Sequence, residues 1–215
     1  MKQPDSDPPV LWYFADPMCS WCWGFAPVIE AIREDYRGRL KVALILGGLR
    51  PGTREAMTPQ QRDEILHHWQ QVAQMTGQPF RFEGALPEGF VYDTEPASRA
   101  VVAMAELDPE AVFPLFKAIQ AAFYAEGRDV TRADVLAELA AGSGAERTAF
   151  LAAFASDAAR GKTLAHFQMA RRLGVRGFPT LVLQRGERHQ FLSNGYRPLA
   201  ELQAGMEAWL AASGA

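Results

Sequence analysis

Six apolar residues in a row, Val10 to Ala15, precede a proline-containing break; apolar positions then recur at Phe25, Val28, Ile29, Ile32 and Tyr36. The first run has the length and aromatic content of a buried strand, and the second spacing traces one face of a helix. Leu40 to Leu46 is another apolar run of strand length, and Gly47-Gly48-Leu49-Arg50-Pro51-Gly52 interrupts it. Strand, helix and strand in such close succession predict a βαβ unit with parallel strands. Pro27 falls inside the helix and is expected to bend it about one turn beyond its start.

The next hundred or so residues show only helical spacing. Thr58-Pro59-Gln60-Gln61 supplies a cap, a first-turn proline and a capping-box glutamine, followed by Ile65, Trp69, Val72 and Ala73 and closed by Gly77. Thr94 is expected to start a helix bearing Val101, Val102 and Ala105. Asp108-Pro109 starts one bearing Val112, Phe116, Ile119 and Phe123. Thr131 is expected to cap a fourth, with Val135, Leu136 and Leu139, and Ala145 to Ser156 makes a fifth. No strand pattern breaks this region, which predicts an all-helical insertion.

Mixed structure then returns. Thr163 to Leu173 reads as a helix with Leu164, Phe167 and Ala170 inward, ended by Gly174. After the sharp break at Gly177-Phe178-Pro179, Thr180 to Gln184 and Gln190 to Leu192 read as an antiparallel hairpin turning through Gly186. A last helix from Pro198 carries Leu199, Leu202, Met206, Trp209 and Leu210. There is no internal repeat and no low-complexity region.

Lys and Arg number 22 against 25 Asp and Glu, a formal charge of −3, and the basic residues are scattered. Nucleic-acid binding therefore has no electrostatic support. Residues 1–9 are polar and proline-rich, with no apolar segment behind a basic start, and read as a flexible tail and not a signal peptide. No stretch has the apolar length of a membrane span. The expectation is a cytoplasmic protein without a membrane partner.

The only two cysteines, Cys19 and Cys22, sit two residues apart where the first strand meets the first helix. In a reducing compartment such a pair is catalytic and not a structural staple. Thiol–disulfide exchange needs an attacking thiolate and a second thiol that resolves the mixed disulfide. Cys19 at the helix start meets unpaired N–H groups and the positive dipole end, which favour a thiolate. Cys22, one turn on, is expected to face inward. Ser20 can donate a hydroxyl to the thiolate, and Trp21 can present an apolar face to a partner. A zinc half-site has the same cysteine spacing. It needs two more ligands, and His67, His68, His166 and His189 lack the required separation, so no metal is expected.

The order strand, Cys-x-x-Cys, helix, strand, helical insertion, helix, and then Leu173-Gly174-Val175-Arg176-Gly177-Phe178-Pro179-Thr180, resembles the DsbA family of the thioredoxin superfamily. Within it the chain is similar to the signal-less branch of FrnE-like proteins and 2-hydroxychromene-2-carboxylate isomerases. The resemblance implies an α/β thioredoxin fold formed by residues 10–52 and 160–215, split by a helical insertion over 53–159. It also implies that Pro179 is a cis-proline facing the cysteines, that Phe178 offers backbone N–H and C=O groups to an extended substrate, and that Thr180 adjoins that surface. Family members often carry Pro-His or Pro-Trp between the cysteines; Ser20-Trp21 here leaves the redox potential open. Serine at the first cysteine position marks the glutathione transferase kappa and isomerase relatives, so the retention of Cys19 favours redox work.

The function expected is a disulfide reductase or isomerase with no bound cofactor beyond its own redox-active Cys19–Cys22 disulfide. Its partners are protein or small-molecule disulfides and thiols, with a recycling thiol reductant and glutathione as a candidate co-substrate. Two other classes remain open: a glutathione-dependent transferase or isomerase, and a chaperone-like module that binds through the helical insertion. Asp16 is read as a turn residue before Pro17 or as a proton relay to the thiols. Trp12 and Phe25 read as core, and His67-His68 as helix surface with partial burial, not as a ligand pair. Tyr196 reads as packing or as the rim of the site. Gly47 to Arg50 lies at the carboxyl end of a strand, where ligands of α/β sheets collect.

Overall fold

The computed structural model describes residues 9–212. Its elements run β1 (Val10–Ala15), α1 (Ser20–Asp35), β2 (Lys41–Leu46), α2 (Pro59–Thr76), α3 (Glu95–Leu107), α4 (Val112–Tyr124), α5 (Ala133–Gly142), α6 (Arg147–Ala155), α7 (Asp157–Arg172), β3 (Thr180–Arg185), β4 (Arg188–Asn194) and α8 (Leu199–Ala212). β1 pairs with β2 in parallel and with β3 antiparallel, and β3 turns back into β4. The order across the sheet is β2-β1-β3-β4. The expected βαβ unit, hairpin and helical middle are thus all present. Of the tail expected over residues 1–9, residues 1–8 lie outside the described part. Pro9 itself is buried, and its carbonyl accepts the Lys41 N–H at 2.8 Å.

β1 is central because both its faces are covered. Leu11 and Tyr13 enter a large cluster that continues through α1 and α4, while Phe14 joins Ile45, Ala170, Val175 and Val182 on the opposite face. Alternation along a strand sends successive side chains to opposite faces, so a nearly unbroken apolar run is what a doubly covered strand requires. Trp12, expected in the core, is half-buried, and its indole N–H donates to the Gln184 side chain. Phe25 is fully buried as expected.

α1 runs through Pro27 as one helix, Ser20 to Asp35. Proline has no N–H, so the Trp23 carbonyl one turn back loses its helical partner. The Gln78 side-chain amide supplies a replacement, donating to that oxygen at 2.9 Å. The Trp23 indole N–H in turn donates to the Pro79 carbonyl at 2.9 Å. The segment that leaves α2 is therefore fastened to α1 where the proline opened it. Gly24 allows the two helices to approach: a Cβ there would fall 2.8 Å from Val72.

Several expected helix boundaries move. α2 is capped as read, with the Thr58 hydroxyl accepting the Gln61 N–H and Gly77 closing the helix at φ 72°. Thr94 does not cap α3. Its own backbone is already helical (φ −92°, ψ −3°), and its hydroxyl accepts the Arg50 N–H instead. Asp93 accepts the Glu95 N–H in its place. Thr131 does not cap α5 either; its hydroxyl donates to Asp129, and the helix begins at Ala133. A short 3-10 turn, Pro109–Ala111, precedes α4. The helix expected from Thr163 begins at Asp157 behind the Ser156 cap, so it runs through the position where insertion and thioredoxin part were divided. Leu164, expected inward, is 50% exposed. Thr163 takes the buried slot because its hydroxyl is satisfied by the Ala159 carbonyl at 2.7 Å. The hairpin strands are each longer than expected, by one residue in β3 and four in β4.

If Gln78 serves the carbonyl that Pro27 exposes, Gln78→Ala should destabilise the protein by about 1–2 kcal/mol, the cost of an unpaired buried acceptor. The loss should shrink in a Pro27→Ala background, where the helix supplies its own N–H. A double-mutant cycle in denaturant melts measures this coupling; additive losses would separate the two residues.

Candidate active site

The residues that follow β1 turn sharply before α1. Asp16 directly follows the strand, and the Cys19 N–H donates to its backbone carbonyl at 3.1 Å. Cys19 is the N-cap of α1, in extended conformation (φ −99°, ψ 117°), and no side chain caps this helix. Its first-turn N–H groups and positive dipole end are thus left to the sulfur and to whatever approaches it. Both cysteines are free thiols. Cys19 keeps 6% of its surface, at the floor of a groove, and Cys22 keeps none. Burial raises the Cys22 thiol well above its ordinary range, and the neighbouring Cys19 sulfur adds to this.

The Gly177-Phe178-Pro179 loop faces them. The Phe178–Pro179 peptide is cis, and the Cys19 thiol donates to the Phe178 carbonyl at 3.6 Å. The Phe178 ring lies against the backbone of Gly47, where a Cβ would fall 2.0 Å from ring carbons. The Pro179 carbonyl accepts the Gly195 N–H at 2.8 Å. Thr180, expected on the substrate surface, is fully buried, and its hydroxyl bonds the Gly177 carbonyl at 2.8 Å and the Asn194 side chain at 3.3 Å. It shapes the loop from behind. Ser20 and Trp21 do line the groove, and the Trp21 ring leans on Tyr196 at 5.9 Å. Tyr196 also meets Phe25 edge-on at 6.2 Å, so it serves as packing beneath Trp21.

Asp16 does more than turn the chain. It is fully buried, one carboxylate oxygen accepting the Met18 N–H at 2.9 Å and the other the Leu49 N–H at 2.8 Å. Burial nonetheless raises its pKa from 3.8 to about 6, against the lowering effect of those two bonds.

The groove has a volume of about 290 Å³, and its second wall comes from distant parts of the chain: Leu49 and Arg50 after β2, Ile65, His68 and Trp69 of α2, and Tyr92. Tyr92 donates its hydroxyl to the Met18 carbonyl at 2.6 Å. Only the glycine-flanked loop at Arg50 had a signal in the sequence. His68 read as helix surface, Trp69 as helix interior, and Tyr92 carried no pattern at all. Trp69 is centred in an aromatic cluster with Phe80, Phe123 and Tyr124, which fixes this wall.

Among the described residues, no helix is long and apolar enough to cross a membrane. A family profile described as DSBA-like thioredoxin domain matches residues 10–206. A proposed protein disulfide isomerase from Nitrosomonas europaea is 49% identical, with a TM-score of 0.91 over 95% of this chain and 98% of that one. The cytosolic disulfide reductase DsbM from Pseudomonas aeruginosa, whose structure is also known with glutathione, is 33% identical with a TM-score of 0.77, over 94% of this chain and 98% of the other. The ClpXP adapter protein SpxH of Halalkalibacterium halodurans is 22% identical over 84% of this chain; the chain spans 60% of that relative's length.

The Asp16 carboxyl gives stability a definite pH dependence. Its folded pKa of about 6 exceeds the ordinary 3.8, so the folded state holds this proton more tightly. The associated stability is fully present below the unfolded pKa and is lost as pH rises through about 6. At about 1.4 kcal/mol per pH unit the loss is about 3 kcal/mol. Asp16→Asn places an amide against one of the two N–H groups, so the variant should be less stable throughout, but its profile should lack this decline. Denaturant melts of the reduced proteins from pH 3.5 to 7 compare the slopes; parallel profiles would contradict the assignment.

Proposed function

This chain belongs to the family of DSBA-like thioredoxin domains, and from that premise we propose that it is a cytoplasmic disulfide reductase or isomerase in which Cys19 attacks and Cys22 resolves. The observation that carries the division of roles is the unequal exposure of the two thiols: Cys19 on the groove floor beside the Phe178 carbonyl, Cys22 wholly enclosed. A disulfide can reach only the first. The likeness to a cytosolic disulfide reductase and to a proposed disulfide isomerase supports the reaction class and the compartment.

In the reductive direction the Cys19 thiolate attacks one substrate sulfur. The substrate S–S bond breaks, a Cys19–S bond forms, and the departing thiolate takes up a proton. Cys22, deprotonated, then attacks the Cys19 sulfur, and the second substrate thiolate leaves and is protonated in turn. Two electrons and two protons pass from the dithiol to the substrate, and the protein is left with a Cys19–Cys22 disulfide. Two molecules of a monothiol such as glutathione return the electrons and become a disulfide themselves. In the isomerase direction a second thiol of the substrate displaces Cys19, with no net electron transfer.

The roles of the groove follow from its parts. An extended substrate can pair with the backbone of Phe178 while Trp21 covers its apolar side. Asp16, titrating near pH 6, is ionised at neutral pH and is our candidate to take the proton from Cys22. That proton is held firmly, because burial disfavours the thiolate. Resolution is therefore a step that needs a base.

Brief alkylation of the reduced native protein at neutral pH should label Cys19 almost alone, read by mass spectrometry; predominant labelling of Cys22 would reverse the roles. Reduction of insulin disulfides by thiol should fall to background in Cys19→Ser. Cys22→Ser should accumulate a covalent mixed disulfide with its substrate. Glutathione-dependent conversion of an electrophile by Cys22→Ser, without disulfide turnover by the native protein, would instead favour the transferase or isomerase reading. Insulin reduction by a Cys19→Ser, Cys22→Ser double variant at the native rate would exclude thiol chemistry at this site.

A further inference from the structure

We propose that Arg50 is the specificity-determining residue of the groove and selects disulfides whose thiol halves carry carboxylates; this rests on the thiol–disulfide reading above. The groove wall is otherwise apolar or neutral. Its only side chains able to carry positive charge are Arg50 and His68, and it holds no Asp or Glu, in a chain whose net charge is −3. A positive, partly enclosed cleft on a negative protein concentrates anions.

Arg50 is held in place from several sides. Its N–H donates to the Thr94 hydroxyl at 3.1 Å, and its carbonyl accepts the Thr53 hydroxyl at 2.9 Å and the Thr94 N–H at 3.4 Å. Leu49, one residue before it, is bound to the buried Asp16 carboxylate at 2.8 Å. The guanidinium stands 5.3 Å from the centre of the Tyr92 ring, and the hydroxyl of that ring is tied to the Met18 carbonyl, next to Cys19. Asp16 and Tyr92 thus link the cation to the turn that presents the reactive sulfur.

The head group is nonetheless unspent. Among the described residues Arg50 has no ion-pair partner, and its guanidinium makes no hydrogen bond within the protein. Asp93, the acid nearest in sequence to Tyr92, directs one oxygen to the Gly52 and Glu95 N–H groups at 2.8 and 3.0 Å. A guanidinium with its donor fork free suits a carboxylate, which it can bind through two parallel N–H donors. A glutathionyl unit, with two carboxylates and a sulfur, is the cellular molecule of this chemistry. It can arrive as free glutathione disulfide or as a mixed disulfide on a protein.

The test compares the second-order rate constants at which the pre-reduced protein, its own Cys19–Cys22 dithiol supplying the two electrons in a single turnover, is oxidised by glutathione disulfide, neutral bis(2-hydroxyethyl) disulfide and a glutathionylated neutral peptide, in native protein and in Arg50→Ala and Arg50→Lys. The anionic-to-neutral ratio should fall about threefold to tenfold in Arg50→Ala, as expected for a solvent-accessible charged hydrogen bond. Arg50→Lys should restore part of it, keeping the charge but not the fork. Added salt should lower the native ratio and leave that of Arg50→Ala nearly flat. A loss with glutathione disulfide alone would assign the free disulfide as substrate, and a loss with the peptide alone the protein mixed disulfide. An unchanged ratio in Arg50→Ala overturns the proposal while leaving the exchange reaction intact. Native protein inactive on all three disulfides would instead remove the reading on which the proposal rests.

Discussion

Asp16 lies at the carboxyl end of β1 with no solvent access, and each of its oxygens accepts a backbone N–H: Met18 on the turn that carries Cys19, and Leu49 on the turn that follows β2. These two turns leave adjacent parallel strands and form opposite sides of the groove. An ionised buried carboxylate is costly, and here it is tolerated because it satisfies backbone donors that would otherwise be orphaned in the interior. The geometry of the groove depends on this bond pair. Burial still outweighs it, which is why the carboxyl titrates near pH 6.

Around that joint, contacts of little individual energy decide shape. Gly47 has no side chain, so the Phe178 ring can lie on the backbone beyond β2. That contact brings the Phe178 carbonyl to within 3.6 Å of the Cys19 sulfur. On the far side, Pro27 releases a carbonyl of α1 that Gln78 takes up, fastening the exit of α2 beside the thiols. The aromatic residues around Trp69 then hold α2 and Tyr92 as a wall. The helical middle of the chain is therefore part of the site: it supplies Ile65, His68 and Trp69 to the groove.

The two thiols differ because of where one helical turn puts them. Cys19 at the N-cap faces the groove and the free N–H groups of the first turn; Cys22 faces the buried strand β1 and its Tyr13. This unequal exposure is the basis of the proposed roles, attack by the first and resolution by the second. On the walls of the groove Arg50, 5.3 Å from the centre of the Tyr92 ring, and His68 are the side chains able to carry charge.

Much of this was legible locally. Strand, Cys-x-x-Cys, helix and strand, the capped α2, the hairpin and the position of Cys19 at a helix start follow from short-range periodicity and end signals, which depend on neighbouring residues alone. The motif around Phe178-Pro179 was legible as a break and, through its resemblance, as the partner of the cysteines. Thr94 and Thr131 misled because a threonine ahead of an apolar period can spend its hydroxyl elsewhere, and which donor or acceptor is nearest is a tertiary fact. Thr163 and Leu164 exchanged their expected burial for a similar reason: a hydroxyl that returns to its own helix can be buried as readily as a leucine. Of the second wall of the groove only the loop at Arg50 was legible, from its place at the carboxyl end of a strand. His68, Trp69 and Tyr92 are brought to Cys19 by packing between segments distant in sequence, and no period or spacing encodes such a meeting. The sequence determined the chemistry available, two thiols at a helix start, because local backbone geometry fixes it. Only the folded chain decided what can approach those thiols, because a cleft is made of surfaces that meet after each element has formed.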